Sequence, residues 1–116
     1  MDIEGFRDRL KKRAMGRAGM ILIHNGIVRA TSRDGSKCSK IQVEVDRERL
    51  QEIVEATLGL PGVIAVDVEI AQGTLEVGDD LMLLGVAGDF RENTLSALGY
   101  ALDRIKKEVT KKMEYA

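Results

Sequence analysis

This sequence has one histidine, one cysteine and no tryptophan, and each scarcity weighs against a class of function. A lone cysteine, Cys38, can form no internal disulfide and no cysteine-rich metal site; set in a polar loop, it is read as a bystander rather than a reactive thiol. With His24 as the only imidazole, zinc ligation and the usual nucleophile triads have little to draw on, so no metal and no cofactor are expected. Two phenylalanines and two tyrosines are too few for a stacking platform on nucleic acid. Charges nearly cancel, 18 basic against 19 acidic, so no overall field draws the chain to nucleic acid or an anionic membrane. Long apolar runs, a signal-peptide core, and GxGxxG or Walker loops are also missing. A cytoplasmic protein is expected, with neither nucleic acid nor membrane as partner.

What is present is hydrophobic periodicity almost from end to end, enough in 116 residues for one domain, 1–116. Ile3, Phe6, Leu10 and Ala14 repeat at helical spacing and predict a first helix that stops near Gly16. "GMILI" (19–23) reads as a buried strand, and "KIQVEV" alternates so that Ile41, Val43 and Val45 share a face. Asp46 is placed to cap a helix carrying Leu50, Ile53, Val54 and Leu58, which Gly59-Leu60-Pro61-Gly62 ends. Three strands follow: 63–70, 74–77 and 81–88, the last apolar enough to be central. A final helix over about 92–113 is predicted from Leu95, Leu98, Leu102, Ile105 and Val109. The order α-β-β-α-β-β-β-α does not follow each strand with a helix, which argues for an α+β domain over a doubly wound sheet.

Between the first two strands lies "HNGIVRATSRDGSK" (24–37), far longer than the two to five residues of an ordinary connection, and holding both Arg29 and Arg33. Arg29 just past a strand end is one candidate for holding an anion. Arg91 is a second, at the strand-to-helix junction "GDFREN" (88–93), where free backbone N–H groups carry partial positive charge. The third candidate is the cluster Lys106, Lys107, Lys111 and Lys112. Asp103–Lys107 and Glu108–Lys112 fit helical i,i+4 pairs, which leaves Lys106 unexplained by surface pairing. Lys106 lies roughly 22 Å along a helix from Arg91, so a compact ligand touching both implies a groove or a site shared by two copies. His24, at a strand end, is read as structural.

In order and spacing these pieces resemble the large, catalytic subunit of molybdopterin synthase, the MoaE family, over nearly the whole chain. The resemblance rests on Gly26-Ile27-Val28-Arg29 after the first strand, on "IQVEVDRERLQEIVEA", and on the hairpin Gly73-Thr74-Leu75-Glu76-Val77-Gly78-Asp79. It continues with Phe90-Arg91 at the start of the long helix and Asp103-Arg104-Ile105-Lys106 near its end. It implies an α/β hammerhead-type fold and a homodimer within a heterotetramer, flanked by two copies of a ubiquitin-like small subunit. That partner ends in a Gly-Gly thiocarboxylate, and its sulfur passes to cyclic pyranopterin monophosphate to form molybdopterin. Carried over residue by residue, Lys106 and Lys112 are catalytic, with Lys111 close behind Lys112; Arg29, Arg91 and Lys111 bind substrate anions.

The chain departs from the family at defined positions. Phe90 stands where the family has histidine, Ile70-Ala71 where it has a second His-Arg pair, and Ala30-Thr31-Ser32 where it has a polar Asn-His-Asn stretch. "TKKME" replaces a C-terminal motif containing proline and tryptophan. Two readings follow. The first is a sulfurtransferase, the second a non-catalytic relative that docks a ubiquitin-like sulfur carrier or another partner. A stand-alone anion-binding regulator is a third.

Overall fold

The computed structural model describes residues 1–116. In chain order the elements are α1 (Ile3–Ala14), β1 (Met20–Ile27), β2 (Lys40–Val45), α2 (Arg47–Leu58), β3 (Val63–Ile70), β4 (Gly73–Glu76), β5 (Asp80–Gly88), α3 (Arg91–Glu108) and β6 (Thr110–Tyr115). The strands form two antiparallel three-stranded sheets, ordered β1-β5-β3 and β4-β2-β6. This is the α+β class read from the sequence. No helix is long and apolar enough to cross a membrane.

β5 is central in the first sheet, and every residue from Leu81 to Gly88 is buried. Its two faces are covered by different helices. On one side Phe6, Leu10 and Ala14 of α1 pack over Ala65, Leu83 and Ala87. Gly85 lies directly beneath: a Cβ there would collide with Leu10 and Phe6, so only glycine lets α1 sit this close. On the other side α2 and α3 pack Ile53, Ala97, Ala101 and Ile105 against Leu84 and Val86, and the same core runs on into Ile41 and Val43 of the second sheet. Asp46 caps α2 as its position predicts, and Asp2 caps α1 in the same way. Asp2 accepts a hydrogen bond from Gly5 N and Asp46 one from Arg49 N, both at 3.0 Å.

Three sequence expectations are corrected. β1 does not stop at Ile23: it runs to Ile27, so His24, Asn25 and Gly26 are strand residues paired with Leu84, Leu83 and Met82. The polar side chains are tolerated because this stretch is only half-buried.

The last helix ends at Glu108, not near 113, and Thr110–Tyr115 becomes an edge strand on β2. The apolar stripe ends at Val109, and two consecutive β-branched residues, Val109 and Thr110, favour extended backbone. The free edge of β2 offers a ladder for it. Lys111 and Lys112 are therefore strand residues on opposite faces, and the pair Glu108–Lys112 does not exist. Glu108 is held instead by Arg104 and Arg49, and Asp103–Lys107 forms no salt bridge.

The buried stripe of α3 is Thr94, Ala97, Ala101 and Ile105, rather than the leucines. Leu95 is exposed, while Leu98 and Leu102 flank the contact. Close approach explains this choice of small residues, since a Cβ on Gly88 would strike Thr94.

Candidate anion-binding cleft

The cleft begins with an irregularity in the β1–β5 ladder. The register shifts between Gly26 and Ile27. Val28 is then fixed by hydrogen bonds from its N–H to Asp79 O (3.0 Å) and from Gly78 N–H to its carbonyl (2.8 Å). Val28 turns into the core and Arg29, the next residue, turns outward.

The segment after Arg29 is not a loose loop. Thr31 bridges Lys37, Ser32 N–H donates to Ser36 O, and Gly35 supplies the left-handed turn at φ +90°. Asp34 organises the tip, accepting from Ser32 Oγ at 2.7 Å, from Ser36 N at 2.9 Å and from Ser36 Oγ. These hydrogen bonds, those from the serine hydroxyls above all, hold its carboxyl down at about 2. The result is a miniature hairpin that carries Arg33. Cys38 closes it, donating its S–H to Lys40 O at 3.4 Å, and is buried rather than set in a polar loop.

Between this hairpin, β1, the end of α3 and β6 lies an open cleft of about 640 Å³. Arg29, Arg33, Lys106 and Lys112 line it, with His24 on its β1 wall and Ile41, Leu81, Met82 and Leu102 as apolar floor. Four basic side chains from three segments thus face one space. None of the four takes part in a salt bridge, whereas Arg9, Arg13, Arg49 and Arg104 all do. Uncompensated cations around a concave surface are a site for an anion. The two acids on the lining, Asp103 and Glu114, leave an excess of positive charge.

Lys112 reaches the cleft because it lies opposite buried Val43 in the β2–β6 ladder and shares its face. Partial withdrawal from water lowers its ammonium pKa, and Lys106 lowers it further, with Arg33 adding to the effect and Glu114 opposing it. His24 is lowered by burial first and then by Lys106 and Lys112, so its imidazole is neutral near pH 7.

Two predicted residues lie elsewhere in the single chain. Arg91 is exposed at the first turn of α3 and does not line the cleft. The helix start beside it is already occupied by a carboxylate: Asp89 accepts from Phe90 N and from Asn93 Nδ2 at 3.0 Å, and these bonds, Asn93's foremost, depress its pKa. An anion site built on that terminus is therefore filled by the chain itself. Lys111 borders a separate depression with Glu44 and Lys107, on the other face of β6. Conversely, the sequence reads His24 as structural and gives Arg33 no role, yet both line the cleft. The turn-forming cluster Ser32-Asp34-Gly35-Ser36 was the available signal for Arg33. No group of three or more histidine, cysteine or acidic residues is arranged to hold a metal.

Fold and cleft together define a two-sheet α+β protein with a cationic, side-chain-lined site. A family model described as "MoaE protein" matches residues 1–108, and the chain belongs to the MoaE family. That membership supports a role in molybdenum cofactor biosynthesis. Among solved structures the chain is similar to molybdopterin synthase from Staphylococcus aureus, at 24% identity and TM-score 0.82, covering 99% of this chain and 85% of that one. It is similar to molybdopterin cofactor biosynthesis protein E from Burkholderia multivorans, at 17% identity and TM-score 0.82, covering 100% and 77%. It also resembles a chain in the complex of subunits 1 and 2 of molybdopterin-converting factor from Helicobacter pylori, at 16% identity and TM-score 0.74, covering 98% and 78%. At such identities the likeness is one of fold. No curated protein matches the chain.

Proposed function

We propose that this chain is the large subunit of a molybdopterin synthase. It would accept the thiocarboxylated Gly-Gly tail of a ubiquitin-like small subunit and pass its sulfur to cyclic pyranopterin monophosphate. The observation that carries this reading is the convergence of Arg29, Lys106 and Lys112, from three separate segments, on one cleft. Both reactants are anionic, one through a phosphate and one through a thiocarboxylate, and both need cations as they leave water. Arg29 suits the phosphate through its bidentate guanidinium. Lys106 and Lys112 flank the position where the thiocarboxylate sulfur would meet the precursor. The lowered pKa of Lys112 suits it to carry a proton.

Arg91 enters this scheme only from a second copy of the chain in a homodimer, because within one chain α3 carries it about 22 Å from Lys106. Lys111, on the far face of β6, is left to surface contacts with the partner. The test is to mix the purified chain with thiocarboxylated small subunit and precursor and to assay dithiolene formation. Product that disappears with Lys106→Ala supports the reading; no product from a folded, partner-bound chain overturns it.

One observation favours the non-catalytic alternative. Phe90 is 67% exposed at the start of α3, an apolar side chain suited to contact with another protein. Partner binding unchanged by Lys106→Ala, with no turnover in either form, is the result that distinguishes it.

A further inference from the structure

His24 stands on the cleft wall for no structural reason visible in its contacts. It is half-buried on β1, and the register puts it on the strand face that looks toward α3 and β6. Its ring lies over Gly26, two residues along the same face, where a side-chain carbon would come within 3.4 Å of Nε2. No hydrogen bond to the protein engages the imidazole. His24 thus lines the cleft with neither ring nitrogen partnered by the protein.

The groups around it are mostly of one sign. α3 presents Lys106 and Asp103, β6 presents Lys112 and Glu114, and the segment after β1 presents Arg29 and Arg33. β5 and β2 contribute only apolar side chains to this lining, Leu81 and Met82 from the one and Ile41 from the other. Four cations against two carboxylates keep an empty cleft hostile to a fifth positive charge. A dianion seated among them cancels that excess, and an imidazole touching the anion then gains a proton.

We infer that His24 is the proton-exchanging member of this cleft, taking up one proton from solvent when a phosphate-like dianion seats between Lys106 and Lys112. No covalent bond changes: the imidazole nitrogen that is bare in the empty cleft becomes N–H and donates to an anion oxygen. The inference deepens the reading of the cleft as the phosphate site and rests on it. It adds that dianion binding is linked to pH, tighter on the acid side, and that a seated phosphate monoester leaves a charged imidazole beside Lys106 and Lys112.

Because the chain has one histidine, its imidazole resonances are unambiguous in NMR. The experiment titrates the full chain from pH 5 to 7.5 with and without sulfate, a dianion that does not itself titrate there, against chloride at matched ionic strength. Sulfate is expected to raise the His24 midpoint by about one unit, with roughly tenfold tighter sulfate binding below both midpoints than above them. His24→Gln is expected to bind sulfate with the weaker, high-pH affinity of the parent and without pH dependence in this range. If the backbone amides of Arg29 and Lys106 respond to sulfate while the imidazole midpoint stays fixed, the inference falls and the sulfur-transfer reading stands. If no amide around the cleft responds, the inference falls together with the phosphate site. A midpoint that rises in a chain inactive in the dithiolene assay upholds the inference and removes the sulfur-transfer reading alone.

Discussion

Arg104 holds Glu108 through two hydrogen bonds one helical turn apart, Nε to Oε2 at 2.7 Å and Nη2 to Oε1 at 3.0 Å. Arg49 of α2 approaches the same carboxylate at 3.7 Å. The guanidinium lowers the Glu108 pKa, and the carboxylate raises that of Arg104. This grip takes up the acid nearest the start of β6 and leaves Lys112, which helical spacing would have paired with Glu108, free on the cleft side. Arg49 and Arg104 are thus held by a carboxylate, whereas Arg29, Arg33, Lys106 and Lys112 line the cleft without a salt bridge.

Lys111 and Lys112 are adjacent yet face opposite sides of β6, so their alanine variants should separate cleanly. Lys112→Ala is expected to slow dithiolene formation by about a hundredfold or more, the size of a lost charge-stabilising or proton-transferring group. Lys111→Ala should stay within a few-fold of the parent. Equal losses in single-turnover assays would contradict the assignment.

Arg91 should act in trans if it acts on the reaction at all. Arg91→Ala and Lys106→Ala chains, each inactive alone, are unfolded and refolded together to form mixed dimers. In a mixed dimer one cleft then has its own Lys106 and its partner's Arg91, and activity should return to about a quarter of the parent level. An arginine acting within its own chain would leave both clefts defective and restore nothing.

Asp34 gives a pH dependence of known sign. Its folded-state pKa, about 2, lies below the ordinary value of 3.8. Its hydrogen bonds therefore contribute stability that is complete above about pH 4 and is lost as pH falls toward 2. Asp34→Asn should lower the thermal midpoint at pH 6, and the gap to the parent should close near pH 2. Faster amide exchange at Ser36 and Gly35 in the variant is the local readout.

Gly85→Ala places a methyl group against Leu10 and Phe6. Displacing α1 from the sheet should cost about 1–3 kcal/mol in denaturant unfolding, in the range of other overpacked cores. The cleft lies on the opposite face of β5, so sulfate binding should survive wherever the variant remains folded.

Much of the scaffold was legible because its signals are local. Asp46 before a helical stripe, alternation in Ile41-Gln42-Val43, and the apolar run of β5 each announce an element without reference to the rest of the chain. Failures came where tertiary pairing overrode local pattern. Nothing within Lys111-Lys112-Met113-Glu114-Tyr115 requires a strand; the open edge of β2 does. His24-Asn25-Gly26 looked like loop because polar residues seldom extend a buried strand, yet β5 continues beside them and supplies the ladder. The helical leucines were expected inward, but the closeness of α3 to Gly88 reserves that face for Thr94, Ala97 and Ala101. In the site, Lys106 stands out in the sequence as a charge without a helical partner, and Arg29 by its place just past a strand end. Lys112 was chosen by likeness to a family motif, and its position on the cleft depends on a strand that the sequence did not announce.

The ladder that carries Lys112 has six consecutive pairs, Lys40–Tyr115 to Val45–Thr110, without an irregularity. Alternation of side chains along a strand means that sliding this last segment by a single residue would turn Lys112 outward and bring Lys111 or Met113 to the inner side. Registry thus decides which side chain the cleft receives: a misaligned copy would keep its fold and sheet while presenting a different residue there.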